Sequence, residues 1–254
     1  MKRGFFSDEQ LGAYRRDGYI AVPGLFDAAA MQRITSWTDE VQAYPEVPGE
    51  YMMYFEESLL EPGERVLSRI ENICPYHEGF NALVTGDELL GRTSELLGEP
   101  AVFFKEKINF KLPGGGGFKA HQDMQAGWDT YGSLYITALV SIDEATVENG
   151  CLELAPGAHT RGMIGEMWRP LDEAEMERIE FIACPAQPGD VVFFDAFTPH
   201  RSEPNMTATP RRVLYVTYNR LSEGDHRQRY YADKRKSYPP DCEREPGKKY
   251  IFRV

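Results

Sequence analysis

The change of period near residue 100 most constrains what this chain can fold into. From there on, short runs rich in Val, Ile, Phe, Tyr and Thr alternate with turn chemistry. Ala101–Lys111, Leu134–Ile142, Cys151–Leu154, Val191–Phe194 and Arg211–Tyr218 read as strands. Between them stand Pro113-Gly114-Gly115-Gly116-Gly117, Glu148-Asn149-Gly150, Pro156-Gly157 and Pro188-Gly189-Asp190. Many short strands punctuated in this way predict an antiparallel sandwich or jelly roll. Only Leu171–Glu180 looks helical in this part of the chain.

The first hundred residues follow a different pattern. Ser7-Asp8-Glu9-Gln10 has the form of a capping box and predicts a helix to about Asp17. Tyr19–Val22 reads as a strand stopped by Pro23-Gly24. Asp27 is placed to cap a second helix, with Met31, Ile34, Trp37 and Val41 on one face. A third helical region covers about Phe80 to Leu97 and stops at Gly98. No repeat, low-complexity tract or long linker interrupts the 254 residues, so one mainly β domain over 1–254 with a helical N-terminal cover is expected.

Composition removes several function classes. Forty acidic against 28 basic residues give a net charge of −12, which disfavours a nucleic-acid partner. No apolar run approaches the roughly 20 residues of a membrane span, so no membrane partner is expected. The opening Met1-Lys2-Arg3-Gly4-Phe5-Phe6-Ser7-Asp8 turns polar too soon for a signal peptide. Cys74, Cys151, Cys184 and Cys242 form no CxxC pair, so neither a zinc site nor a disulfide framework is expected. The expected compartment is the cytoplasm; oligomeric state is open.

The chemistry concentrates at His121-Gln122-Asp123, just after the glycine run. In an extended segment residues i and i+2 share one side, so His121 and Asp123 can reach one metal ion. Taken alone, the tripeptide reads equally well as a surface imidazole beside a carboxylate. His200, after the apolar run 191–194, supplies a third ligand. Two neutral imidazoles and one carboxylate form the facial triad of non-haem Fe(II), leaving positions for a co-substrate and O₂. Ser202 and Asn205 follow, and Arg211 opens the next strand. A 2-oxo acid on the metal needs such a cation for its far carboxylate.

On these residues the chain resembles the phytanoyl-CoA dioxygenase family of iron(II)/2-oxoglutarate oxygenases. The resemblance runs from Ser7–Leu11 and Asp17–Gly24 through His121-Gln122-Asp123, Asn149-Gly150-Cys151-Leu152 and Pro156-Gly157-Ala158-His159 to His200–Arg211. It implies a double-stranded β-helix, with Fe(II) on His121, Asp123 and His200. It also implies that Arg211 and Ser202 bind the distal carboxylate of 2-oxoglutarate, with Asn109 also on the co-substrate; Thr137 is grouped with them. O₂ is the other co-substrate. Asp123 favours hydroxylation, because related halogenases have a small residue there. Ala158 departs from the Ser of many members. His159, His77 and His226 are read as structural or solvated.

For the substrate, Lys105, Lys107, Asn109 and Lys111 alternate along one strand. Such a row is ordinarily a solvated face, but Asn109 would carry Lys107 and Lys105 into the cavity with it. Trp128, Tyr131 and Tyr135, with Tyr51, Tyr54 and Phe55 from an N-terminal loop, are core residues or an aromatic wall for a quaternary ammonium. Gln122 is grouped with the substrate contacts. The strand 104–111 and His121-Gln122-Asp123 resemble the family's aminophosphonate-hydroxylating branch, which implies a small zwitterion oxidised at the carbon next to phosphorus. A compatible solute, an amino acid or a specialised metabolite is the alternative substrate. A non-catalytic metal- or ligand-binding jelly roll is the alternative class.

Overall fold

The computed structural model describes residues 4–250. Met1 to Arg3, part of the signal-peptide argument, lie outside the described residues. The predicted capping box forms: Ser7 Oγ accepts from the Gln10 N–H, and Gln10 Oε1 accepts from the Ser7 N–H. It opens α1 (Asp8–Asp17), which Gly18 ends at φ 80°. A Cβ there would also lie 2.4 Å from His159 Nδ1, so only glycine fits. β1 (Tyr19–Val22) follows, then α2 (Ala28–Gln42), which Asp27 caps and which buries Met31, Ile34 and Val41.

Two expectations fail in the next stretch. The aromatic segment 51–55 is largely strand rather than loop: β2 (Met52–Glu57) pairs with β3 (Arg65–Glu71). Its first three residues are all buried, so no alternation marks it in the sequence. The region 80–97 is not one helix but α3 (Glu78–Thr85), a π turn over Asp87–Gly91, and α4 (Arg92–Leu97). Gly86, extended at φ −77° and ψ 157°, breaks it.

β4 (Ala101–Lys111), β5 (Phe118–His121), β6 (Tyr135–Ser141) and β7 (Leu152–Leu154) come next. After them come α5 (Glu173–Met176), β8 (Ile182–Cys184), β9 (Val191–Asp195), β10 (His200–Ser202), β11 (Arg211–Arg220) and α6 (Arg227–Ser237). The helix expected over 171–180 shrinks to α5, a single turn that buries none of its residues and so gains no packing to extend it.

The strands form a seven-stranded sheet, β1-β9-β6-β11-β4-β3-β2, and a four-stranded sheet, β5-β10-β7-β8, with every pairing antiparallel. One face of the larger sheet packs on the helices: Ile136, Ala138, Val140, Leu214 and Val216 join Met31, Ile34, Phe80 and Val84 in one core. The other face meets the smaller sheet, where Leu139, Val192, Phe194 and Val213 pack on Leu152 and Leu154. Burial of both faces explains why β6 and β9 read as continuous apolar runs. The result is a double-stranded β-helix with a helical cover.

Candidate metal centre and substrate cavity

His121 at the end of β5 and His200 at the start of β10 are direct register partners. Asp123 starts the short 3-10 turn after β5. One ligand atom from each of the three lies within 4.8 Å of the others, and His200 Nε2 is 3.9 Å from Asp123 Oδ1. His121 Nδ1 lies 2.7 Å from the Lys119 carbonyl, and His200 Nδ1 lies 3.1 Å from that of Thr198. A carbonyl only accepts, so each Nδ1 carries the proton and each Nε2 presents its lone pair.

Burial, reinforced by His200, pushes His121 down to about 3, and burial lowers His200 as well. Burial would raise Asp123, but His200, His121 and the nearby lysines outweigh it and hold the carboxyl below its usual range. Two neutral imidazoles and an ionised carboxylate are therefore ready at neutral pH, a donor set that fits divalent iron. Thr137 Oγ1 donates to Asp123 Oδ2 at 3.2 Å and lies 3.0 Å from Thr217 Oγ1. Thr137, grouped with the co-substrate from sequence, braces the Asp123 carboxylate from the larger sheet.

Arg211, first residue of β11, is fully buried, and its Nε has no hydrogen-bond partner among the described residues. Asn109 Oδ1 is buried and likewise without a partner. Ser202 Oγ accepts from Lys111 Nζ at 2.8 Å. A buried guanidinium with an open N–H calls for an anion, so this end of the site fits the far carboxylate of a dicarboxylic 2-oxo acid.

A cavity of about 580 Å³ opens over His121 and Asp123. Lys105, Lys107, Trp128 and Tyr131 line it. Neither lysine pairs with a carboxylate among the described residues; both ammonium groups lie against aromatic faces. Lys105 Nζ is 5.1 Å from the Trp128 ring and 5.4 Å from that of Tyr230. Lys107 Nζ is 4.8 Å from Tyr215 and 5.5 Å from Phe118. Burial, then the charge of Lys105, pushes Lys107 down to about 7. A register shift opposite Thr217 and Tyr218 leaves Phe104 as the extra residue of β4. The bulge brings consecutive Phe104 and Lys105 into one aromatic cluster with Trp128 and Tyr230.

Several expected substrate contacts lie elsewhere. Gln122 is fully buried beside the triad: its amide donates to the Gly162 and Phe197 carbonyls and accepts from the Ile164 N–H, fastening loops rather than facing the cavity. As the residue between i and i+2, it projects the other way. Tyr135 is buried behind the wall, its hydroxyl donating to the Trp128 carbonyl. Tyr51 bonds Pro45, Tyr54 stacks on Tyr238, and Phe55 packs under Arg65; none of the three lines the cavity. His77 caps α3 and His226 sits against the Glu223 carbonyl, away from the triad.

Other lining residues went unnoticed in the sequence. Arg69 and Glu71 come from β3, and Tyr230, Asp233 and Lys234 from α6. Glu71, almost fully buried, takes Arg69 at 2.8 Å and Lys234 at 2.5 Å. Arg227, Tyr230, Tyr231 and Lys234 follow helical spacing, the one signal that would have drawn attention to α6.

Residues 14–213 match the family model described as phytanoyl-CoA dioxygenase. A 2-aminoethylphosphonate dioxygenase from an uncultured bacterium, HF130_AEPn_1, is 41% identical over 248 residues, covering 97% of this chain and 94% of that protein. A methylphosphonate hydroxylase from Gimesia maris is 40% identical over 233 residues, covering 91% and 88%. Among solved structures, EctD from S. alaskensis with 2-oxoglutarate and 5-hydroxyectoine has a TM-score of 0.73 at 24% identity, over 88% of this chain and 79% of that one. That likeness speaks for the fold. Triad, fold and family match agree: the chain belongs to the phytanoyl-CoA dioxygenase family and is an iron(II)- and 2-oxoglutarate-dependent dioxygenase.

Proposed function

We propose that this dioxygenase hydroxylates a small aminophosphonate, 2-aminoethylphosphonate before its N-trimethyl form, at the carbon next to phosphorus. The observation that carries the reading is the pair Lys105 and Lys107, beside the triad with no carboxylate partner among the described residues; an anionic ligand returns Lys107, pushed down to about 7 by burial, to its charged form. Unpaired charge facing a partly enclosed cavity is costly unless the ligand brings the opposite charge, and a phosphonate brings up to two. The relatives named for 2-aminoethylphosphonate and methylphosphonate support the same class. The faces of Trp128 and Tyr230 already hold Lys105, which disfavours a quaternary ammonium there.

In this reading His121, Asp123 and His200 hold Fe(II), and Arg211, Ser202 and Asn109 hold 2-oxoglutarate. When bound, iron with 2-oxoglutarate and O₂ supplies the oxidation, in which a substrate C–H becomes C–OH while 2-oxoglutarate becomes succinate and CO₂. The lysines anchor the phosphonate so that the adjoining carbon faces the triad, and Trp128 and Tyr131 keep water from that space. Asp233, which accepts from Tyr131 at 2.9 Å, meets the ammonium end. No helix of the described residues is long and apolar enough to cross a membrane; with four free thiols, that supports a reducing, cytoplasmic setting.

The test is succinate formation by Fe(II)-loaded protein offered phosphonates, betaines and amino acids. Stimulation by 2-aminoethylphosphonate is expected, and rates no faster than without substrate sink the assignment. Asp233→Asn is expected to lower kcat/KM about tenfold for 2-aminoethylphosphonate and to leave methylphosphonate, which has no amine, unchanged.

A further inference from the structure

Lys111 shares a strand with Lys105 and Lys107 but does not line the substrate cavity with them. It ends β4, is buried, and lies in register with Arg211 on β11. Its ammonium donates to Ser202 Oγ at 2.8 Å, to the Gly150 carbonyl at 3.3 Å, and to the Glu203 carbonyl. These three acceptors match its three N–H bonds, and none of them is charged. Neighbouring Arg211 keeps an open Nε. Two adjoining buried cations with neutral partners form an arrangement that an anion completes.

The bond to Ser202 has a directional consequence. A protonated lysine only donates, so Ser202 Oγ must receive it on a lone pair. The serine's own hydrogen is then released for another acceptor, and the hydroxyl becomes a donor.

We infer that Lys111 is a positioning residue of the 2-oxoglutarate site: it holds Ser202 as a donor towards the distal carboxylate and adds a second cation beside Arg211. The inference rests on the reading that Arg211 and Ser202 bind that carboxylate. It differs from a purely structural role, in which Lys111 would only staple the turns at Gly150 and Glu203.

Anaerobic calorimetric titration of the Fe(II)-loaded protein separates these roles, using 2-oxoglutarate and 2-oxobutyrate, which has the same chelating head but no distal carboxylate. Lys111→Met is expected to weaken 2-oxoglutarate about tenfold or more and to leave 2-oxobutyrate unchanged. Ser202→Ala is expected to cost affinity in the parent and little further in Lys111→Met. Unchanged 2-oxoglutarate affinity, or equal loss for both ligands, overturns the inference. If Arg211→Met also leaves 2-oxoglutarate affinity intact, the carboxylate clamp itself fails and the inference with it. If Lys111→Met does not fold, Lys111→Gln tests the charge alone: weaker 2-oxoglutarate with unchanged 2-oxobutyrate is expected, and unchanged 2-oxoglutarate affinity overturns the inference.

Discussion

At the residue scale, hydrogen bonds decide which atoms are free to react. His121 and His200 each commit Nδ1 to a backbone carbonyl, leaving both Nε2 atoms for one metal, while Thr137 takes one oxygen of Asp123. Lys111 gives a pH dependence whose sign follows from its surroundings. Burial first, then Arg211, pushes it down to about 7, against the pull of Glu56 and Glu203, with Cys151 nearby. A bound carboxylate favours the charged form, so 2-oxoglutarate binding takes up a proton. Affinity is therefore expected to be full below about pH 7 and to fall by up to about tenfold per unit above it. Calorimetry across that range checks the slope, which should vanish in Lys111→Met. The two histidines and Asp123 were legible in the sequence because an i, i+2 spacing is local and His200 follows a strand-like run. Gln122 was misread because adjacency in sequence to two ligands says nothing about the face on which a residue lies.

At the element scale, α6 shows how a polar helix can build a cavity wall. Its attachments are ionic: Arg227 reaches fully buried Glu106 at 2.5 Å, Tyr231 bonds the same residue, and Lys234 reaches Glu71. Glu106→Gln leaves Arg227 without its counter-charge and is expected to cost about 3–5 kcal/mol of stability, readable by urea denaturation. Because α6 carries Tyr230, Asp233 and Lys234, the same variant should raise KM for the substrate and spare 2-oxoglutarate affinity. Equal loss of both would assign α6 a general structural role. The long strands β4, β6, β9 and β11 were legible from composition and turn signals, since burial on both faces selects β-branched and aromatic residues. β5, β10 and β8 have three or four residues each and exist through their partners' register, which no local pattern records.

At the scale of the whole molecule, the site joins the two sheets. His121 and His200 belong to the smaller sheet, Thr137, Arg211 and Asn109 to the larger. Metal and 2-oxoglutarate together should therefore stabilise the folded chain. At about a hundred times Kd the gain is about 2.7 kcal/mol, or a Tm rise of about 5–10 °C for a chain of this size. Scanning calorimetry with and without Fe(II) and 2-oxoglutarate checks it, and a rise that survives a chelator or His200→Ala would refute the bridging role. The net charge of −12, from which no nucleic-acid partner is expected, coexists with Arg69, Lys105, Lys107 and Lys234 around one cavity. Charge summed over a chain describes its exterior field, whereas a cavity answers to what folding gathers there. The sequence by itself determined the architecture and the iron chemistry, because strand period and the His121–Asp123 spacing act over a few residues. Only the tertiary structure decided the shape and charge of the substrate cavity. Lys105 meets Tyr230, and Glu71 meets Lys234, across more than a hundred residues of chain, and such contacts depend on how sheets and helices pack.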